Sequence, residues 1–234
     1  MSGFTRRNCT FYNCFVTDKP SYFRDILDFD VIMFNILGMY KDMEIPKKRS
    51  EKQKYVLAAV EPAVHKVPVN FNKFFNLTWT YRLDSDVTFP YMVVKNERDE
   101  IIGPKINMHW IDIKDMNETS LYVRNKLRKK RIAAAWFASN CEAGNGRLDF
   151  ATELRQELAK YNQDVDIYGS CGDLWCPVYD IHDRDECNAL IESNYYFYLA
   201  FENSFAEDYV TEKVLTGLEH FSVPVVYGSA NYTR

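Results

Sequence analysis

Short apolar runs alternate with polar breaks along the first half of this chain. "DVIMFNIL", Asp30 to Leu37, is bounded by Asp and Gly and predicts a buried strand. "KKRSEKQK", Lys47 to Lys54, follows as a solvated loop or helix surface. "YVLAAV", Tyr55 to Val60, is a second buried run that stops abruptly at Glu61-Pro62. "KNERDEIIGPK", Lys95 to Lys105, holds Gly103-Pro104 and predicts a loop. From Arg131 the pattern becomes regular. "RIAAAWFAS" predicts a strand, "NCEAGNG" a turn-rich loop, and "RLDFATELRQELAKY" (Arg147 to Tyr161) an amphipathic helix with Leu148, Ala151, Leu154 and Leu158 on one face. "VDIYG" is the next strand, then a cysteine-bearing loop, the strand "YYFYLAF", a helix from about Glu207 to His220, and the strand "VPVVYG". This is β-α-β twice over, which predicts an α/β fold with a parallel sheet and helices on its faces. A boundary falls near residues 112–130.

The 234 residues suit one large domain or two small ones. A net charge of −4 excludes an extended phosphate-neutralising face, so no nucleic-acid partner is expected. The one basic run, "KLRKKR" (Lys126 to Arg131), is local and reads as a solvated lead-in to the strand after it. No stretch approaches the roughly eighteen consecutive apolar residues of a membrane span, and the start lacks a signal-peptide core. Four N-x-[ST] sequons, at Asn8, Asn76, Asn117 and Asn231, are glycosylation candidates and hint at a secretory compartment. Six cysteines add to that hint. Their spacings lack the paired Cys-x2-Cys of a structural zinc site, so disulfides are expected rather than a metal.

Ligands of an open parallel sheet bind outside the carboxyl ends of its strands, and three polar constellations fall near such ends. In "SNCEAGNGR", Gly144 and Gly146 free the backbone and Arg147 begins a helix, an arrangement suited to an anion, although taken alone the stretch favours an ordinary loop with a helix-starting Arg. In "FENSFAEDYVTEK", Tyr209, Glu212 and Lys213 are expected on one helical face in the first turns, where the dipole favours a negative ligand. Lys213 would meet a diphosphate; Glu212 would accept from the hydroxyls of a sugar or ribose. From the residues alone, a capped charged helix start and a sugar-nucleotide site stand level. Glu61 ends a buried run, where a carboxylate can be held rigid and partly desolvated, as a general base requires, although the residues alone favour a chain-reversing Glu-Pro with its carboxylate in water. A fourth feature, Asp84-Ser85-Asp86, has the D-x-D form of a metal-diphosphate site but lies away from the phosphate-ready strand ends.

Together these residues resemble one family. "FYLAFENSFAEDYVTEKVLTGLEHFSVPVVYG" closely resembles the donor-binding signature of the α1,3-fucosyltransferases. "YRLDSDVTFPY", "WFASNCEAGNGR", "VDIYGSCG" and "VVYGSANYTR" agree in order, from about Asp30 to the end. The resemblance implies a GT-B fold, two Rossmann-like domains facing a cleft: residues 1–120 on the acceptor side, and residues 121–234 as a GDP-fucose-binding domain that is incomplete. It places Arg147, Asn203, Tyr209, Glu212 and Lys213 at donor-binding positions and Glu61 at the general base, with "VEPAVHK" matching loosely. The implied reaction moves L-fucose from GDP-fucose to an N-acetylglucosamine of a glycoprotein glycan, with inversion. The Asp84/Asp86 pair belongs to the family's "YRxDSD" motif. No cofactor is required for the chemistry, and a divalent cation is at most stimulatory.

Two departures bear on the acceptor side: Met92 stands where Gly is usual and Leu83 where Arg is common. Family members sit in the Golgi membrane facing the lumen, held by an anchor that is not in this sequence, and they continue beyond the position of Arg234. The chain is therefore expected to be truncated at both ends and to bind GDP-fucose weakly. Cys141, Cys171, Cys176 and Cys187 are expected to pair locally, while Cys9 and Cys14 are expected to have lost their partners. The alternative function is a catalytically inactive truncated isoform or gene-model fragment that at most binds glycan. A metal-dependent D-x-D transferase is a third reading.

Overall fold

The computed structural model describes residues 3–39, 45–62, 71, 73–176 and 184–233. They form two compact units, Met1–Ala58 with Val67–Leu77 and Ala59–Lys66 with Thr78–Arg234.

The first unit contains the one-turn helix α1 (Gly3–Arg6), strand β1 (Val31–Asn35), the one-turn helix α2 (Ile36–Met39) and strand β2 (Lys54–Ala59). β1 and β2 run parallel, with Val31 opposite Lys54 and Asn35 opposite Ala58. The expected strand at 30–37 is cut short because the Asn35 side chain accepts from the Leu37 amide at 3.0 Å and turns the chain. Nor is it buried throughout. Phe34 is 4% exposed, but Val31 and Met33 are about half exposed, at 51% and 50%. Phe34 and Tyr55 instead anchor an aromatic cluster with Phe71, Phe74 and Phe75. The polar stretch at 47–54 holds this cluster from outside. Arg49 lies 3.9 Å above the Tyr55 ring and donates to the Phe74 carbonyl, while buried Gln53 donates to the carbonyls of Ile26 and Phe29.

The second unit begins with short strands β3 (Leu77–Thr80) and β4 (Val87–Thr88), which pair in parallel. Residues 95–105 were expected as a loop, but β5 (Val94–Lys95) and β6 (Ile101–Gly103) form an antiparallel hairpin. Asn96 nucleates its turn, accepting from the amides of Arg98 and Glu100 at 2.9 and 3.0 Å. Helix α3 (Leu121–Leu127) starts on a Ser120 cap. Strands β7 (Ile132–Phe137), β8 (Val165–Tyr168), β9 (Tyr195–Phe201) and β10 (Val223–Tyr227) then build a parallel sheet in the order β10-β9-β7-β8. The expected β-α-β repetition is present.

Helices cover both faces of that sheet. Helix α4 (Arg147–Ala159) places Leu148, Ala151, Leu154 and Leu158 against Trp136, Val165, Ile167, Leu199 and Phe201. On the other face, helix α5 (Arg184–Asn194), which the apolar pattern did not reveal, brings Ile191 to Tyr198 and Ala200. Helix α6 (Glu212–Glu219) joins it through Val214. Gly217 lets α6 approach β10, since a Cβ there would lie 3.0 Å from Pro224. Two disulfides, Cys141–Cys171 joining two loops and Cys176–Cys187 joining a loop to α5, tie this unit, whereas Cys9 and Cys14 are free.

One element of the basic run departs from the solvated lead-in expected of it. Lys130 is 2% exposed, at the amino ends of β9 and β10. Its ammonium donates to the carbonyls of Ile191, Tyr195 and His220 and to the Ser222 hydroxyl, at 2.8 to 3.2 Å. Burial pushes its pKa down to about 8.

Candidate functional site at the carboxyl ends of the strands

The opposite edge of the sheet is organised by Glu202, the first residue after β9. Its side chain is fully buried. One oxygen accepts from the Thr211 amide at 2.8 Å and the other from the Thr211 hydroxyl at 3.0 Å. Thr211 is the N-cap of α6. The Lys213 ammonium completes the group, 2.7 Å from the Thr211 hydroxyl, 3.2 Å from Glu202 and 3.3 Å from Glu212. Glu202 is thus the anchor that sets where the helix begins. Sequence reading passed over it; the signal available was a lone carboxylate following seven apolar residues.

That anchor moves the helix start from the expected 207 to 212, which corrects the grouping of Tyr209, Glu212 and Lys213 on one helical face. Glu212 and Lys213 occupy the first turn. Tyr209 lies before the helix, in a turn closed by its own amide on the Ala206 carbonyl at 3.3 Å. The turn includes Asp208 at φ +61°, a left-handed conformation that Asp and Asn tolerate better than most side chains. Tyr209 is 1% exposed, its ring 5.0 Å from that of Tyr81 and 6.1 Å from that of Tyr91.

Arg147 enters from the loop after β7. Gly144 and Gly146 both take positive φ, at 69° and 74°, as the loop's glycines suggested. Asn145 staples this loop to the sheet, donating to the Glu202 carbonyl at 2.8 Å. The Arg147 guanidinium is buried beside Trp136. It donates to the Phe201 carbonyl at 2.9 Å and the Asn140 carbonyl at 2.7 Å. Burial lowers its pKa, opposed by the nearby Glu202 carboxylate. Its third donor, Nε, is buried without a partner, as are the Asn203 Oδ1, the Ser204 hydroxyl and the Tyr232 hydroxyl. Unpaired buried polar atoms are costly, so a cluster of them beside one sheet edge is a place that a polar ligand would complete. Burial raises the Tyr232 phenol to about 12, helped by Glu202.

Glu61 is half-buried, two residues beyond the end of β2. Residues 63–70, the rest of its "VEPAVHK" context and beyond, lie outside the described residues. The Tyr91 hydroxyl donates to the carbonyl of Val60 at 2.8 Å, which fixes the peptide before Glu61. Burial raises the phenols of both Tyr91 (to about 12) and Tyr209, and the charges of Glu61 and Glu202 add to both. Glu61 and Tyr209 therefore share one electrostatic neighbourhood around Tyr91.

The D-x-D carboxylates are engaged elsewhere. Asp84 takes a bidentate pair of bonds from Arg82 at 2.8 and 2.7 Å. Asp86 accepts from the Thr78 amide and hydroxyl at 2.8 and 2.9 Å. Among the described residues, no group of three or more His, Cys, Asp or Glu could hold a metal ion. An apolar cavity of about 430 Å³ adjoins this turn. Its lining includes Leu83, Tyr91, Met92, Trp110, Val214 and Tyr232, so both departures noted in the sequence face it. Of the sequons, Asn8, Asn76, Asn117 and Asn231 are all exposed. Asn76 already accepts from the Tyr55 amide, and Asn231 from the Thr233 amide and hydroxyl. No described helix is long and apolar enough to cross a membrane.

A doubly covered parallel sheet with polar groups converging at its carboxyl edge is the architecture of nucleotide-binding α/β proteins. The comparisons with known proteins narrow that class. Residues 2–92 match the family model "Fucosyltransferase, N-terminal", and residues 127–234 match "Glycosyltransferase family 10 (fucosyltransferase) C-term". The chain belongs to glycosyltransferase family 10, the fucosyltransferases. It is 36% identical over 232 residues to Alpha-(1,3)-fucosyltransferase C of Drosophila melanogaster, covering 97% of this chain and 52% of that protein. It is also 36% identical over 196 residues to Glycoprotein 3-alpha-L-fucosyltransferase A of the same organism, covering 82% and 34%. The chain thus spans about half the length, or less, of these curated relatives. A crystal structure of an alpha1,3-fucosyltransferase with GDP-fucose aligns at a TM-score of 0.46 and 18% identity, over 90% of this chain and 58% of that one.

Proposed function

We propose that this protein transfers L-fucose from GDP-fucose in α1,3 linkage to an N-acetylglucosamine of a glycoprotein glycan, in a GT-B arrangement. Residues 1–120 would serve the acceptor and residues 121–234 the donor. The family models, one ending at residue 92 and the other starting at 127, support that division. The reading rests above all on the cluster of partnerless buried atoms at Arg147, Asn203, Ser204 and Tyr232 beside Lys213. Lys213 and Arg147 supply positive charge for the diphosphate. Asn203, Tyr209 and Glu212 hold nucleotide or fucose. The chemistry is one inverting displacement. Glu61 takes the proton of the acceptor hydroxyl as its oxygen bonds to the anomeric carbon. The bond from that carbon to the phosphate oxygen breaks, and GDP leaves with its charge stabilised by the donor-side cations. No metal is required for this step, and a divalent cation at most stimulates it. The reading carries the family's Golgi lumenal location, and glycosylation at Asn8, Asn76, Asn117 and Asn231, as further proposals.

A non-catalytic protein that at most binds glycan is the second reading. It is favoured by one observation: the Arg147 amino groups and Lys213 already have protein partners. The two readings part in one assay. The chain is incubated with GDP-fucose and acceptors bearing either inner-core N-acetylglucosamine or antennal N-acetyllactosamine, and fucose addition is followed by mass spectrometry. Transfer supports the enzyme; its absence with both acceptors supports the second reading. In an active protein, Glu61→Gln is expected to lower kcat about 100-fold with unchanged GDP binding. Unchanged turnover removes Glu61 as the base.

A further inference from the structure

The turn that carries the D-x-D pair is clamped to the turn that presents Tyr209, by residues to which no role has yet been given. Three contacts join them across about half the chain's length. The Leu83 amide donates to the Asp208 carboxylate at 3.1 Å. Arg82 forks between Asp84 and Glu207, its NH2 group 2.7 Å from the former and 3.2 Å from the latter. Beneath them the buried rings of Tyr81 and Tyr209 meet edge to face at 5.0 Å. Asp208 is the pivot of this arrangement. It stands at φ +61°, a conformation that persists where the surroundings hold it. Its carboxylate reaches a backbone amide 125 residues earlier in sequence. The next residue is Tyr209, and the Val210 amide closes back on the Asp208 carbonyl at 3.1 Å.

We propose that Asp208 and Arg82 are positioning residues. By locking the Tyr81–Asp86 turn onto the Ala206–Tyr209 turn, they hold the Tyr209 side chain where a donor nucleotide meets it. This rests on the reading of Tyr209 as a donor-binding residue. It also gives the Asp84-Ser85-Asp86 segment a purpose that involves no metal. Asp84 orients the Arg82 fork so that the NH2 group it holds also reaches Glu207, and Asp86 fixes the turn's far side to Thr78. Nothing in the lock touches the reacting atoms. Its loss should therefore weaken donor binding and leave the rate of the bound complex nearly unchanged.

Two substitutions at one position separate geometry from acceptor. Asp208→Asn keeps both the tolerance for positive φ and an oxygen facing the Leu83 amide. Asp208→Gly keeps the backbone conformation but removes the acceptor. GDP is titrated calorimetrically, to millimolar concentration, into the full chain and both variants. Amide exchange is followed in parallel over residues 81–86 and 206–211. Asp208→Asn is expected to bind GDP within threefold of the parent. Asp208→Gly is expected to bind at least tenfold more weakly, with faster exchange in both segments at once and an unchanged rate in β9. Where transfer is measurable, Asp208→Gly raises the KM for GDP-fucose about tenfold and leaves kcat within threefold. Arg82→Gln shifts the same quantities in the same direction by a smaller factor. The inference is overturned if Asp208→Gly matches the parent in GDP affinity, or if only one of the two segments loses protection. A parent chain that binds no GDP overturns the donor reading itself, a different failure from a parent that binds and a variant that binds equally well.

Discussion

Two lysines mark the two ends of the parallel sheet, and their surroundings differ in kind. Lys130, at the amino ends of β9 and β10, has its ammonium enclosed by three carbonyls and a hydroxyl, all from the protein. Lys213, at the carboxyl end, meets two carboxylates and a cap hydroxyl, and its side chain stays 21% exposed. Around Lys130 the acceptors have been matched to the donor. Around Lys213 several buried side chains each keep a polar atom without a protein partner. A cation whose hydrogen bonds are complete holds elements together and has no capacity left for a ligand. One that sits among incomplete groups can exchange a protein partner for a phosphate with little reorganisation. Burial of a charged residue does not by itself identify a site; a cation beside several incomplete polar groups points to one.

The sharpest way to break this contrast is Lys130→Met. It removes a buried donor from α5, β9 and the α6–β10 connection while keeping the side chain's length. The expected cost is about 3 kcal/mol, read as a fall of roughly 10 °C in Tm, with GDP affinity per folded molecule unchanged. A fall in donor affinity at constant stability would reverse the assignment of the two ends. Lys213→Ala should show the complementary pattern: GDP affinity down by about 10- to 100-fold, worth roughly 1.4 to 2.7 kcal/mol, with Tm moved by no more than a few degrees. The smallest effect is one of pH. Because burial depresses the folded pKa of Lys130 to about 8 from an unfolded 10.5, the unfolded chain binds more protons between those values. Stability from this group therefore rises with pH across that window, by about 1 kcal/mol per pH unit near pH 9.5. The gap in Tm between the parent and Lys130→Met should widen from pH 7.5 to pH 9.5, and a gap that narrows would count against it.

Much of the second unit was legible in the order of residues. Five-to-seven-residue apolar runs alternating with a 3.6-period helix define β7, α4, β8, β9 and β10, because those periods are local properties of the backbone. The positive φ of Gly144 and Gly146 and the start of α4 at Arg147 were legible for the same reason. The first unit was less so. "DVIMFNIL" and "IAAAWF" look equally apolar, but only the second is covered on both faces. Met33 remains half exposed while Ala135 is fully buried. Helix α5 left little trace because its residues are mostly polar; among its described side chains only Cys187 and Ile191 are buried.

The family signature, the β-α-β order and the gathering of polar residues near strand ends were all written in the local order of residues. These depend on neighbours within a few positions of one another. Only the tertiary structure decided that α6 begins at Glu212, since a carboxylate nine residues before Thr211 captures that cap. It alone placed Tyr209 in a turn, buried Lys130 among carbonyls from three elements, and docked Leu83 on Asp208. Apart from the Ala206–Tyr209 bond that closes that turn, each of those outcomes rests on a hydrogen bond or charge contact between groups well separated along the chain. Such contacts form once burial removes the competing water, and no local pattern records which partner will be there.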